Sequence, residues 1–408
     1  TVKAEDFKFG IERTLSEQTG SADAPLFSAV KSISTPDDFT IVFNLSYADD
    51  NFLYALTNPG AMPCDEEFFN LTNGKYGLDA KYLLCNGPFH VSKWTEKTSV
   101  KLAKNNEYNG ESSVSPSSVT FYINNDDSEV ADKMNSVTYD VAFLSSSQFS
   151  SIENKKDLNS VAVQNVTYSF IFNQNDNNYR NKNMRLAFCR SCDTSSLFDS
   201  QSDISKADGI VPPSCKIGGE DYRNGNAAEL LSYDETLAKK NFNDALLELG
   251  SSSVETTILC TEQYEPFVKQ MVQKLQKTLG VKFVSTVKVV SESDLEAAVN
   301  DGNYSVAFYP FKAKSSFAGE IIEVFDQNNI FGYESDVLSQ KIRNIKNNSG
   351  SLEGERSAVA DAENYLVSEA VIMPVFYENS YFVTSKKTSG IYFYSSADNV
   401  CFINAKKS

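Results

Sequence analysis

Asn303–Ser316, NYSVAFYPFKAKSS, sets an apolar run against a proline and then offers two aromatics and two lysines. Val306, Ala307 and Phe308 read as a short buried strand, which Pro310, lacking a backbone donor, is expected to end. Past that end Phe311, Lys312 and Lys314 would project into open space, and the ends of strands in α/β layers are where ligands sit. The expectation from this stretch is a ligand-binding protein with the segment in its pocket wall.

The surrounding half of the chain alternates helix and strand, the mark of an α/β fold. A helix is expected over 235–249, closed by Gly250, and another over 263–279 with Phe267, Met271, Leu275 and Leu279 on one face. VKFVSTVKVV follows as a strand, Ser293 and Glu296 form a capping box for a third helix, and helix 352–369 precedes the strand VIMPVFYENSYFV. The first half opens with a helix over Thr1–Arg13 and the strand FTIVFNL at 39–45. Short alternating strands follow in GPFHVSKW, TSVKLAKN and SSVTFYIN, then a helix at 128–135, a strand at Tyr139–Leu144 and the apolar strand VTYSFIFNQ at 166–174.

The 408 residues are too many for one core and predict two or three domains. A formal charge of −17, with no stripe of basic residues, argues against a nucleic-acid partner. No apolar run approaches the length of a membrane span. Only His90 is present, which all but removes Ser-His-Asp triads and His-based zinc sites, and no cofactor or metal is expected. Seven cysteines leave at least one thiol unpaired; Cys189 and Cys192 have the spacing of a redox or zinc half-site but read better as buried helix positions. Adjacent acids such as Asp49 with Asp50 and Asp126 with Asp127 read as solvated turns rather than the paired carboxylates of a glycosidase.

Six stretches in order carry a resemblance to a known family. VKAEDFKFGIER, FTIVFNL, NGPFHVSKW with KLAKNNEY, FIFNQ with MRLAFCRSCD, YDETLAKKNFNDALLELG and ENYLVSEAVIMPVFY are similar to signatures of the family 5 extracellular solute-binding proteins, the peptide-binding components of ABC importers. The resemblance implies a type II periplasmic-binding-protein-like α/β fold. Its parts would be a small extra domain over 1–84, a lobe of 85–172 with 378–408, and a lobe of 173–377, joined by two crossover strands near Tyr168–Gln174 and Pro374–Tyr381. The match opens abruptly at VKAEDF, so a fragment of a longer protein, with a removed leader and a lipidated surface anchor upstream, is expected. The implied function is extracytoplasmic capture of a peptide or small solute by a monomer, without enzymatic chemistry, and delivery to a membrane permease.

The same resemblance places a ligand pocket around Phe9, Tyr168, Phe170, Tyr309, Phe311, Phe376, Tyr377 and Tyr381, with Trp94 as core. Where peptide-binding members end the segment in GWxxD, with the aspartate holding the peptide α-ammonium, this sequence has PFKAK and Lys314. A lysine repels an ammonium. Three explanations stand side by side: an anionic or polyhydroxyl ligand such as an oligosaccharide, a shifted alignment, or a surface sensor or adhesin that no longer serves peptide import. A solvated loop lysine accounts for Lys314 equally well.

Overall fold

The computed structural model describes residues 1–21, 23–47, 52–111, 113–123, 127–194, 197–198, 202–313, 317–348, 350–394 and 399–408. Contact clustering separates the chain into two compact units, residues 1–125 with 389–391 and 402–408, and residues 126–388 with 392–401.

In the first unit helix α1 (Ala4–Leu15) starts with Asp6 accepting the Lys3 N–H at 2.7 Å and carries Glu5 and Asp6 in its first turn, where acids favour the helix dipole. It packs on the antiparallel hairpin β1 (Val30–Asp37) and β2 (Thr40–Leu45) around Ile11 and Phe27. Gly10 allows close approach: a Cβ there would run into the carbonyl of Met62. Short helices α2 (Phe52–Ala55) and α3 (Glu66–Leu71) lead to β3 (Phe89–Thr95), β4 (Ser99–Lys104) and β5 (Ser118–Tyr122), an antiparallel meander. Its register aligns Trp94, Val100 and Phe121 in one row. Trp94, expected in the core, is 44% exposed, because that row has little packed over it among the described residues.

The second unit holds two larger sheets. Helix α4 (Asp127–Asn135), β6 (Val141–Ser145), α5 (Ser146–Ser151) and β7 (Leu158–Val163) build a small layer whose middle strand comes from far along the chain. From β7 the chain passes through Gln164–Asn165 into β8 (Val166–Phe172), an internal strand of a six-stranded sheet. Helices α6 (Asn177–Arg180) and α7 (Lys182–Arg190), the edge strand β9 (Ile204–Lys206) and the ribbon β10 (Lys216–Ile217) and β11 (Glu220–Asp221) follow.

Helix α8 (Glu235–Leu249) is capped by the Asp234 carboxylate and ended by Gly250 at φ 62°, the left-handed geometry glycine adopts at least cost. Strand β12 (Val254–Cys260), helix α9 (Glu265–Leu279), β13 (Phe283–Val289) and α10 (Glu292–Asn300) bring the chain to β14 (Val306–Lys312). The cap of α10 is Ser291, whose hydroxyl accepts the Asp294 N–H; the box expected at Ser293 lies inside the first turn. After α11 (Glu320–Glu323), α12 (Asp336–Asn347) and α13 (Leu352–Ser368), β15 (Ile372–Glu378) enters the large sheet. One residue later β16 (Ser380–Ser385) joins the small one between β6 and β7.

The large sheet runs β13-β12-β14-β8-β15-β9, with β12 parallel to β13 and β14 and the pairs β14–β8 and β8–β15 antiparallel. Apolar clusters cover both faces, one under α7, α8 and α9, the other under α10, α12 and α13. The change of sheet at Asn379 lies within the expected Pro374–Tyr381 crossover. The other falls at Gln164–Asn165, upstream of Tyr168–Gln174, because β8 is built into the large sheet along its whole length.

Candidate functional site

The proline of the 303–316 stretch does not end its strand. β14 continues through Pro310 to Lys312, paired throughout with β8. The Asn173 N–H donates to the Ser305 carbonyl and the Ala313 N–H to the Asn165 carbonyl, both at 3.0 Å. Odd-numbered residues of β14 thus turn their backbone toward β8 and even-numbered ones turn away. On the far side β12 is in register only with Val306 and Ala307. Pro310 therefore faces an edge that has already lost its neighbour, where a missing N–H breaks no ladder bond.

That edge lies at the carboxyl ends of β12, β14 and β15, and a cluster of aromatic rings, buried except for the half-buried Tyr168, packs on one face of the sheet beside it. The centroid of Tyr168 stands 4.4 Å from Tyr264, 5.5 Å from Phe308 and 5.1 Å from Phe376. Tyr264 and Phe376 are 5.3 Å apart, and Phe170 lies one row deeper, 4.9 Å from Phe308. The Tyr264 hydroxyl donates to Glu378 Oε1 at 2.7 Å. Burial raises both Tyr168 and Tyr264 above the usual tyrosine range; the charge of Glu378 adds to the shift, so both hydroxyls stay protonated.

The two crossovers are tied to each other at the same end. Gln164 Nε2 donates to Asn379 Oδ1 and to Ser205 Oγ, each at 2.8 Å, and the Asn379 N–H donates to the Asp203 carbonyl at 2.7 Å. The segment behind them is held by a buried ion pair. Glu363 of α13 accepts from the Ile210 and Val211 N–H groups at 2.7 and 2.9 Å, from the Tyr222 hydroxyl at 3.1 Å, and from both terminal nitrogens of Arg223. The Ser214 N–H in turn donates to the Gln164 carbonyl, which anchors the crossover to that segment.

Of the residues the sequence singled out, Tyr168, Phe170 and Phe376 come together in this cluster, where Phe170 and Phe376 are buried. Tyr309, Phe311 and Tyr377 lie on the opposite face: Phe311 stacks on Phe325 at 5.6 Å, and the Tyr377 hydroxyl accepts the Asp208 N–H at 3.0 Å. Tyr381 belongs to the small sheet, stacked on Phe149 at 4.3 Å, and Phe9 belongs to the first unit, edge-on to Phe69 at 5.6 Å. Lys314, Asp49, Asp50 and Asp126 lie outside the described residues. The seven cysteines are all free thiols; Cys189 and Cys192 are buried against α9, and burial pushes the Cys189 thiol up to about 12, far from the reactive range.

A family model described as bacterial extracellular solute-binding proteins, family 5, matches residues 1–330. The chain belongs to that family. As a family 5 protein it binds a solute rather than converting one, and no helix among the described residues is long and apolar enough to cross a membrane. A curated relative, the dipeptide-binding protein DppE of Bacillus subtilis, is 22% identical over 96% of this chain and 75% of its own. The fold is shared with the substrate-binding domain of an oligopeptide ABC transporter from Bacillus anthracis, at a TM-score of 0.80 and 19% identity, covering 100% of this chain and 84% of that one. OppA of Listeria monocytogenes, solved with bound peptide, matches at a TM-score of 0.78 and 21% identity over 100% of this chain and 84% of its own.

In this family 5 protein Tyr264, Glu378, Gln164 and Asn379 also belong to the candidate site, and no local pattern of the sequence marks them. Tyr264 lies at the entrance of a helix whose apolar stripe draws attention to later residues. The other three are ordinary polar residues until the chain changes sheet beside them.

Proposed function

We propose that this protein captures a short peptide outside the cell membrane and delivers it to the permease of an ABC importer. The observation that carries the reading is the edge of β14 beyond Ala307, which among the described residues pairs with β8 on one side only and lies at the carboxyl end of the sheet. An extended peptide can join such an edge through its main chain. The names of the relatives, a dipeptide-binding protein and a peptide-bound OppA, support the same class of ligand.

Two chain crossings at Gln164–Asn165 and Asn379, linked by one hydrogen bond, suit a hinge in which a few backbone positions absorb lobe closure. The small layer of β6, β16 and β7 would belong to one lobe and the six-stranded sheet to the other, with residues 1–84 as the extra domain. A lipid anchor upstream and a monomeric state complete the proposal. Native mass spectrometry of protein purified from its own host tests it: a co-purified peptide of two to a few residues is expected. Finding none, together with no rise in melting temperature on adding pooled di- to hexapeptides, would refute the reading.

A further inference from the structure

A cavity of about 220 Å³ lies beside the first half of β15, which β9 does not reach: among the described residues β9 accompanies β15 only from Phe376 to Glu378. Its floor is formed by buried Val367, Ile372 and Val375. Its rim carries exposed Lys206, Ser232 and Tyr233, so the space runs from the surface into the core. Of seven cysteines and five methionines in the chain, Cys189, Cys192 and Met373 line this one space.

The backbone explains how the sulfurs meet. Cys189 ends α7, and Ser191 beyond it keeps helical dihedrals, φ −82° and ψ −14°. Cys192 therefore follows on the face of Cys189, where helix neighbours three apart hold their Cβ atoms about 5–6 Å from each other. Met373 packs against the apolar cluster that contains both thiols. Burial raises the two thiols, and at Cys192 the neighbouring Cys189 adds to the shift, which puts each sulfur within the field of the other. Arg185 and Arg190 act in the opposite direction at Cys189, as Lys274 does at Cys192, so positive charge stands ready beside any anion formed there.

Two thiols and a thioether in an apolar space are a soft donor set. Zinc closes its structural sites with four ligands, and among the described residues no group of three or more His, Cys, Asp and Glu could hold a metal. Soft ions differ, since thiolate and thioether sulfur select copper(I) over harder cations. We propose that Cys189 and Cys192, with Met373 as a third sulfur, bind one soft monovalent cation of the copper(I) kind. Two sulfur–metal bonds form, two protons leave through the mouth of the cavity, no oxidation state changes, and the complex carries one negative charge that the nearby arginines and lysine offset. The site stands apart from the edge of β14 and does not rest on the peptide-capture reading.

Silver(I), a redox-inert stand-in for copper(I), tests it. The solvent-accessible thiols Cys85 and Cys401 are first replaced by serine, and the folded chain is titrated with silver(I) against a competing chelator while native mass spectrometry counts the ions. One tightly held ion per chain is expected. Cys189→Ser and Cys192→Ser should each lower the affinity at least about 100-fold and Met373→Leu about 10-fold, since altering even a group that merely supports a metal ligand costs about 10–100-fold. Cys215→Ser and Cys260→Ser, in the same unit but outside the cavity, should leave it within about twofold.

A serine in the core can unfold the chain, so each variant is checked by its melting curve. X-ray absorption at the copper edge, on protein with the cavity residues unchanged and loaded with copper(I), gives a second reading in which sulfur neighbours alone are expected. Nitrogen or oxygen neighbours, silver binding that survives both serine changes, zinc held as tightly as silver, or a folded chain that retains no ion would each overturn the assignment.

Discussion

Replacing Glu363 by leucine should be among the most damaging single changes in the second unit. The side chain is 1% exposed and receives hydrogen bonds from two backbone N–H groups, one tyrosine hydroxyl and both terminal nitrogens of Arg223, itself 8% exposed. Breaking a buried ion pair by removing one partner costs about 3–5 kcal/mol, and each donor left buried without an acceptor about 1–3 kcal/mol. These terms overlap, because Arg223 keeps the Val211 and Asn226 carbonyls at 2.7 and 3.2 Å and the freed donors share whatever water enters. A net loss of about 4–6 kcal/mol is expected, a large part of the 5–15 kcal/mol typical of a whole domain. Urea unfolding followed by circular dichroism measures it. The double change Glu363→Leu with Arg223→Leu removes the stranded charge and should recover at least about 2 kcal/mol relative to the sum of the single changes. A single-change loss below about 1.5 kcal/mol, or strict additivity in the double, would show that the pair does not hold the segment as its geometry implies.

Phe308→Ala should cost about 3–5 kcal/mol, since its buried ring packs against Tyr168, Phe170, Tyr264 and Phe376; the urea midpoint reads it. Gly250→Ala forces a side chain into φ 62° and should cost about 1 kcal/mol by the same assay. Stability should also fall on the alkaline side. Burial raises the Cys189 and Cys215 thiols to about 12 and Cys260 to about 11, whereas unfolded thiols ionise near ~8.5. Between those values the unfolded chain binds fewer protons than the folded one, so each thiol removes about 1.4 kcal/mol of stability per pH unit. Melting temperatures from pH 8 to 10.5 should drop, and Cys189→Ala should flatten the slope by one thiol; an unchanged slope would refute its share.

Elements whose evidence is local were legible in the chain. Helix 235–249 matches its observed span because Asp234 and Gly250 flank it and an apolar stripe runs along it. Strand β7 was hidden in a polar stretch, since only its two end residues are buried. Pro310 does not end its strand, because the effect of a proline depends on which edge its missing N–H faces, and that is set by how far β12 accompanies β14. The exposure of Trp94 is not legible in the chain, which does not show which face of a meander will be covered.

Ordered motifs and helix periodicity sufficed for an α/β solute-binding protein, because those properties depend on neighbours within a few residues. The site needed the fold. Tyr168, Tyr264, Phe308 and Phe376 are scattered over more than half the chain, and only strand register brings their rings within 4.4–5.9 Å. Register also sorts Tyr309, Phe311 and Tyr377 onto the opposite face, since a shift of one residue turns a strand's side chains over.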